Sequence, residues 1–153
     1  MYQKVLVPLD GSELAECALD HVKKLAKEGF LEEIVLLSVF VPLFLLNTIY
    51  DDAGVFDIVT LTNDARDRSK KYLGDLQSKL GAECITVKTE FIESARPASI
   101  ITEYAHQNGV DLIVMATHGY TGVKKMLLGS VAYQVVHESH VPVLLIRPEE
   151  AWK

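Results

Sequence analysis

The residues best placed to do chemistry lie late in the chain, in the run ATHG from Ala116 to Gly119 and, after nine intervening residues, in Gly129-Ser130. The run follows a wholly apolar segment that ends at Met115 and leads into a stretch of helical periodicity. A strand that ends in a glycine-bearing loop and then enters a helix is an anion trap. Bare backbone N–H groups and the positive end of the helix dipole converge on one spot. The pattern points to a phosphate-bearing small molecule near Gly119, Gly129 and Ser130. Glycine at these positions lets the backbone approach oxygen atoms without a Cβ in the way. Ser130 can bond a phosphate or cap the helix, and the amides of Val131 and Ala132 are first-turn donors in need of an acceptor. His118 can touch or shield phosphate, or it can be an exposed loop histidine without a role.

Other chemistries find no support. The sequence has neither GxxxxGK(S/T) nor GxGxxG. His137 and His140 lie in a run one residue short of HExxH, so the two fall at i, i+3 with no third ligand nearby in sequence. No Ser-His-Asp set can be placed. A response-regulator site needs an acidic pair after the first strand, and Asp10 stands there alone. No catalytic residue and no metal ligand is therefore assigned.

The elements that must position the anion trap follow from periodicity. Lys4 to Leu9 reads as a first strand. Glu13 to Lys27 then places Leu14, Ala15, Ala18, Val22, Leu25 and Ala26 on one helical face, with Asp10 or Ser12 as the cap. Glu33 to Val41 is a second strand, Asp64 to Leu80 a second helix, and Cys84 to Ile92 an alternating third strand. Pro97 opens a third helix that Asn108-Gly109 stops. Leu112 to Ala116 is the fourth strand, Ser130 to Ser139 the fourth helix, and Val141 to Arg147 the last strand.

This alternation predicts a three-layer α/β/α sandwich around a five-stranded parallel sheet. The continuous apolar strands belong in the middle and the alternating third strand at an edge. Right-handed crossovers then favour the order 3-2-1-4-5. Ligands of such sheets bind beyond the C-terminal strand ends, where the strand order reverses. In this order that crevice lies between strands 1 and 4, so topology and loop chemistry select one place. There Asp10 can accept from a ribose hydroxyl or an adenine amino group, or be only a cap. Val39 and Met115 can form an apolar slot for a base, although Met115 is a core residue by default.

The long connection from Pro42 to Thr62 is apolar for a loop and suits a flap over the crevice, a lid or a partner surface. The last strand would leave an apolar edge, which favours a homodimer through Val141 to Arg147; the tail from Glu149 to Lys153, with Trp152, is the alternative cover.

The 153 residues suit one domain, 1–153, and their composition, 49% apolar and 24% charged, is globular. A net charge of −6 gives no electrostatic reason to seek nucleic acid or an anionic membrane. Two distant cysteines, Cys17 and Cys84, suggest a reducing compartment and small buried side chains. No run is long enough to span a membrane, and the start of the chain does not read as a signal peptide, so a cytoplasmic protein is expected.

With the segments VLVPLDGSE, VLLSV, DLIVMATHG and GSVAYQVV followed by VPVLLIRP, the chain resembles the universal stress protein family over its whole length. The ATP-binding class of that family carries G-x2-G-x9-G-(S/T). Here Gly119, the nine residues 120–128 and Gly129-Ser130 match, while Ala116 replaces the first glycine. The resemblance implies a Rossmann-like fold of the adenine nucleotide alpha hydrolase type. It also implies ATP as ligand, with or without Mg2+. The base would lie near Pro8, Leu9, Asp10 and Val39, and the phosphates near Gly119, Gly129, Ser130 and Val131. A dimer through the last strand is common in the family. A nucleotide-binding regulatory dimer in stress adaptation, with unknown protein partners, is the expected function. The alternatives are a slow ATP hydrolase or phosphotransferase and a nucleotide-free protein-interaction module, in which Ala116 would mark loss of binding.

Overall fold

A computed structural model describes residues 2–43, 55–82, 86–118 and 128–148, with side-chain detail in the second helix from Ile58 onward. The elements alternate as expected: β1 Tyr2–Pro8, α1 Glu13–Lys27, β2 Leu31–Phe40, α2 Val55–Gly81, β3 Thr86–Glu93, α3 Pro97–Gln107, β4 Leu112–Ala116, α4 Ser130–Glu138 and β5 Val143–Ile146. The five strands form one parallel sheet in the order β3-β2-β1-β4-β5.

Side-chain alternation along the strands divides the core. Val5, Val7, Ile34, Leu36, Leu112 and Val114 face α1 and α2, where they meet Ala18, Leu19, Val22, Leu73, Leu76 and Leu80. Leu6, Val35, Leu37, Ile113 and Met115 face α3 and α4, against Ala98, Ile101, Ala105, Ala132 and Val135. Each large aliphatic side chain so buried contributes about 1.5–3 kcal/mol. Because β1, β2 and β4 are covered on both faces, their sequences are unbroken apolar runs. β3 lies at the edge and alternates.

Several boundaries differ from expectation. α2 starts at Val55, nine residues before Asp64, so the eight residues Val55 to Thr62 are helix rather than loop. This stretch lacks a polar cap and carries β-branched residues of modest helix propensity, which hid it. In this stretch Thr62 is buried, while Val59 and Leu61 are exposed. β5 is confined to Val143–Ile146 because Pro142 has no N–H for the ladder and Val141 turns its amide to Ser139 Oγ at 3.0 Å. β2 begins at Leu31, and β3 runs on to Glu93. The expected β3 residues Cys84 and Ile85 lie outside the described residues. The helix stop after α3 is as expected, with Gly109 at φ +63°.

The N-terminal strand ends are held by charge. Asp111 Oδ2 accepts from the amides of Gln3 and Lys4, both at 2.8 Å, and ties β1 to β4. Glu33 on β2 bonds Lys88 on β3 at 2.7 Å and lies 3.5 Å from Lys4 on β1. The hydrogen bond from Lys88, and then the positive charge of Lys88 and Lys4, hold the Glu33 carboxyl below the usual carboxylate range despite partial desolvation. A carboxyl lowered in the folded state stabilises it above the unfolded-state pKa, and that stabilisation is lost as pH falls through the folded-state value. Glu33→Gln should therefore cost about 1 kcal/mol or less near neutrality. Denaturant titrations should find the gap between variant and wild type closing below about pH 4; a gap independent of pH would exclude the ionic origin.

Candidate functional site

The C-terminal ends of β1 and β4 separate to the two sides of a crevice of about 350 Å3. Pro8, Leu9 and Asp10 come from the end of β1, Val39 from β2, Met115 and Ala116 from β4, and Gly129, Ser130, Val131 and Ala132 from the start of α4. His118 also lines it. Eleven of the twelve expected site residues thus share one cavity; the twelfth, Gly119, lies outside the described residues. A larger groove of about 470 Å3 follows α1 and mixes Lys23, Lys24 and Lys79 with Glu13, Glu16 and Asp20. Volume favours that groove, but its carboxylates and amines offset one another. The switch-point crevice is the better site on chemistry.

Three helices begin at this crevice, α1, α3 and α4; α3 opens on Pro97, which has no N–H to offer, and has no side-chain cap at Arg96, while α1 and α4 differ in their caps. At α1, Ser12 is the N-cap: its hydroxyl accepts from the Ala15 amide at 3.2 Å. Asp10 Oδ1 accepts from the Ser12 amide at 2.9 Å and from the Ser12 hydroxyl at 2.6 Å. The choice between Asp10 and Ser12 is thereby settled in favour of Ser12, and Asp10 fixes its orientation while lining the crevice. One first-turn amide of α1, that of Ala15, is thus already bonded within the chain, with the Asp10 carboxylate beside the turn.

At α4 the N-cap is Gly129, with no side-chain cap. The first amide to bond back is that of Tyr133, to Gly129 O at 2.9 Å. The amides of Ser130, Val131 and Ala132 precede it in the first turn and have no intrahelical acceptor. Ser130 is the first helical residue rather than the cap, and it is exposed, so its hydroxyl is available beside them. Gly129 has ordinary extended values, φ −66° and ψ 156°, and its amide donates to Thr117 O at 2.7 Å, so it closes the loop while lining the crevice.

His118 is not an exposed loop residue. It is 9% exposed, and its Nδ1 lies 3.0 Å from Thr117 Oγ1. Met115 is both core and wall, as its 5% exposure and its place in the lining require. Ala116 is paired in the ladder with Ile146, so this position has strand geometry and needs no positive φ. Cys17 is half-buried, packs against the α1–α2 side of the core, and burial raises its thiol pKa, with Asp20 adding to the effect.

Sequence reasoning missed Ala15, Leu37, Val41, Pro97, Ile101 and Thr117, which also line the crevice. Pro97 was within reach: α3 must start beside the C-terminal end of β3, at the level where ligands of parallel sheets bind. Leu37 and Ile101 look like any other core residues in the sequence and carry no such signal. Among the described residues, no helix is long and apolar enough to cross a membrane.

The pattern of the Universal stress protein family matches residues 1–147. Universal stress protein MJ0577 of Methanocaldococcus jannaschii is 34% identical over 157 aligned positions, covering 96% of each chain. Universal stress protein YxiE of Bacillus subtilis is 32% identical over 151 positions, covering 96% of this chain and all of the relative. Among solved structures, that of hypothetical protein MJ0577 superposes with a TM-score of 0.82 at 32% identity, covering 97% of this chain and 98% of that one. More distant structures share the fold: a universal stress protein in complex with cAMP (TM-score 0.67, 20% identity, 95% and 97% covered) and an Arabidopsis thaliana family member with AMP bound (TM-score 0.66, 18% identity, 99% of each chain). Sequence pattern, relatives and fold agree along nearly the whole chain, which belongs to the universal stress protein family.

Proposed function

We propose that this chain is a cytoplasmic, ATP-binding regulatory protein that acts as a homodimer. The observation that supports binding most strongly is the uncapped start of α4 at the switch-point crevice, where three first-turn amides and the Ser130 hydroxyl are left to a ligand. Anions are stabilised at such an end by the amide dipoles as well as by direct bonds. The phosphates lie there, against Ser130, Val131 and Ala132, with His118 near the same end. The base lies across Pro8, Leu9, Val39 and Met115, with Asp10 in reach of a ribose or amino donor and Ala116 between the two ends. Ser130 Oγ is the hydroxyl able to meet a phosphate-bound Mg2+. The AMP and cAMP complexes of distant relatives agree with an adenine nucleotide as ligand class.

Binding, rather than turnover, is the favoured activity. Asp10 is the one carboxylate in the described lining, and its Oδ1 already accepts from Ser12. Regulation then requires that ATP prefer one conformation or one partner complex over another.

Ser130→Pro tests the site with little cost to the fold. Proline is tolerated at the first helical position, and Gly129 already has the extended conformation that a residue before proline requires. The substitution removes one amide and one hydroxyl donor. Hydrogen bonds to a charged group are worth about 1.5–3 kcal/mol each, so calorimetry should find ATP bound about tenfold more weakly or worse, with adenosine affinity unchanged. Unchanged ATP affinity would remove the phosphates from α4. Absence of ATP binding by the wild type, with and without Mg2+, would end the proposal.

The dimer is supported by β5, an edge strand with Leu144 exposed, and by Tyr133 and Val136 exposed on α4. Open apolar edges favour pairing with a second chain. Sedimentation should give a dimer for the wild type and a monomer for Leu144→Lys. A dimer in both would place the contact elsewhere.

A further inference from the structure

Away from the phosphate end, the corner between β3 and α3 carries a fixture that the nucleotide site does not itself require. Glu93 is the last residue of β3 and the ladder partner of Phe40 at the end of β2. Both of its carboxylate oxygens are held by Arg66 on α2: Nε donates to Oε1, and Nη2 donates to Oε2 at 3.2 Å. The third guanidinium nitrogen, Nη1, donates to Asn63 Oδ1 at 2.6 Å, so the fork is committed in full. One turn further along α2, Lys70 Nζ sits 5.1 Å from the centre of the Phe91 ring, which stacks on Phe40 at 5.8 Å. The two contacts fasten α2 to the same corner.

That corner joins two walls of the crevice. Phe40 stands between Val39 and Val41, both of which line it. On the other side, the Ser94 amide donates to Phe40 O at 3.0 Å, and the Arg96 amide donates to Ser94 Oγ at 3.1 Å. Pro97 follows at once and, with Ile101, forms the facing wall. Glu93 is thus bonded laterally to the strand of one wall and leads within four residues into the other. The carboxylate is 37% exposed and the guanidinium 26%. An ion pair so open to water adds little to global stability, even as a bidentate fork. Its effect is local: it fixes the angle at which the top of β2 and the start of α3 face each other.

We infer that Arg66 and Glu93 act as a positioning pair that sets the width of the base end of the crevice and thereby the affinity for the adenine moiety. The inference rests on the proposed nucleotide-binding function. Because neither residue touches the phosphate end, the pair acts equally on nucleoside and nucleotide.

The test is calorimetry with ATP and with adenosine on full-length wild type, Arg66→Gln, Glu93→Gln and the double variant, with melting temperatures recorded. Each single variant should bind both ligands about threefold to fivefold more weakly, by the same factor for each. The double variant should be no worse than either single one, because the two side chains act as one unit. Melting temperatures should change by no more than about 3 °C. Unchanged affinities, losses confined to ATP, or additive losses in the double variant would each overturn the positioning role while leaving the site intact. A wild type that binds no adenine ligand would overturn the site and the positioning role together.

Discussion

The hydrogen bond from the Gly129 amide to Thr117 O, at 2.7 Å, is the constraint on which the site depends. Thr117 is itself fixed, since its own amide donates to Ile146 O at 2.8 Å at the end of β5. The chain leaves the sheet at Thr117 and returns to Gly129 within hydrogen-bonding distance of where it left. The start of α4 is therefore delivered to the end of β4 by backbone bonds alone. The core completes the fixation: Ala132 and Val135 are buried against Met115 and Ile113, so one face of α4 is committed to the sheet while its first turn remains open to the crevice.

Much of this arrangement was legible in the residues. The unbroken apolar runs of β1, β2 and β4 place those strands inside a doubly covered sheet, and the alternating Val87-Lys88 and Glu90-Phe91 pairs place β3 at its edge. The crevice followed from strand order and loop chemistry together, and eleven of its expected residues do meet there. The illegible parts share a cause: they depend on tertiary partners. The first two turns of α2 have weak local helix signals, and the α2 residues that anchor it to the core, Leu73, Leu76 and Leu80, lie further along. The second side of the pocket, Pro97 and Ile101, comes from an element distant in sequence. The loop-closing bond of the Gly129 amide to Thr117 O carries no sequence signal, because it depends on where the chain returns to the sheet.

The α1 and α4 ends at the crevice differ in polarity. α1 and α4 both direct their positive ends toward the strand ends, and either could attract an anion on dipole grounds alone. At α1, however, Ser12 occupies the Ala15 amide, and the Asp10 carboxylate stands in front of the turn. A phosphate there would compete with an internal acceptor and approach a like charge. At α4 no side chain competes. On the proposed function an anion would be favoured at α4 over α1, and the apolar surface of Leu9, Leu37, Val39 and Met115 would be left to a flat, less polar group.

Ala116 fits the same logic. The nucleotide-binding pattern that the sequence resembles has glycine here, and an alanine forced to positive φ would be strained. Its ladder pairing with Ile146 removes that difficulty, since a strand residue has the extended conformation any amino acid adopts. What remains is a methyl group lining the crevice between the base and phosphate ends, a question of contact rather than of backbone strain. A single methyl can tighten a wall, but it removes no donor from α4 and places no charge against a phosphate. The departure from glycine therefore gives no reason to assign this chain to a class that has lost its ligand.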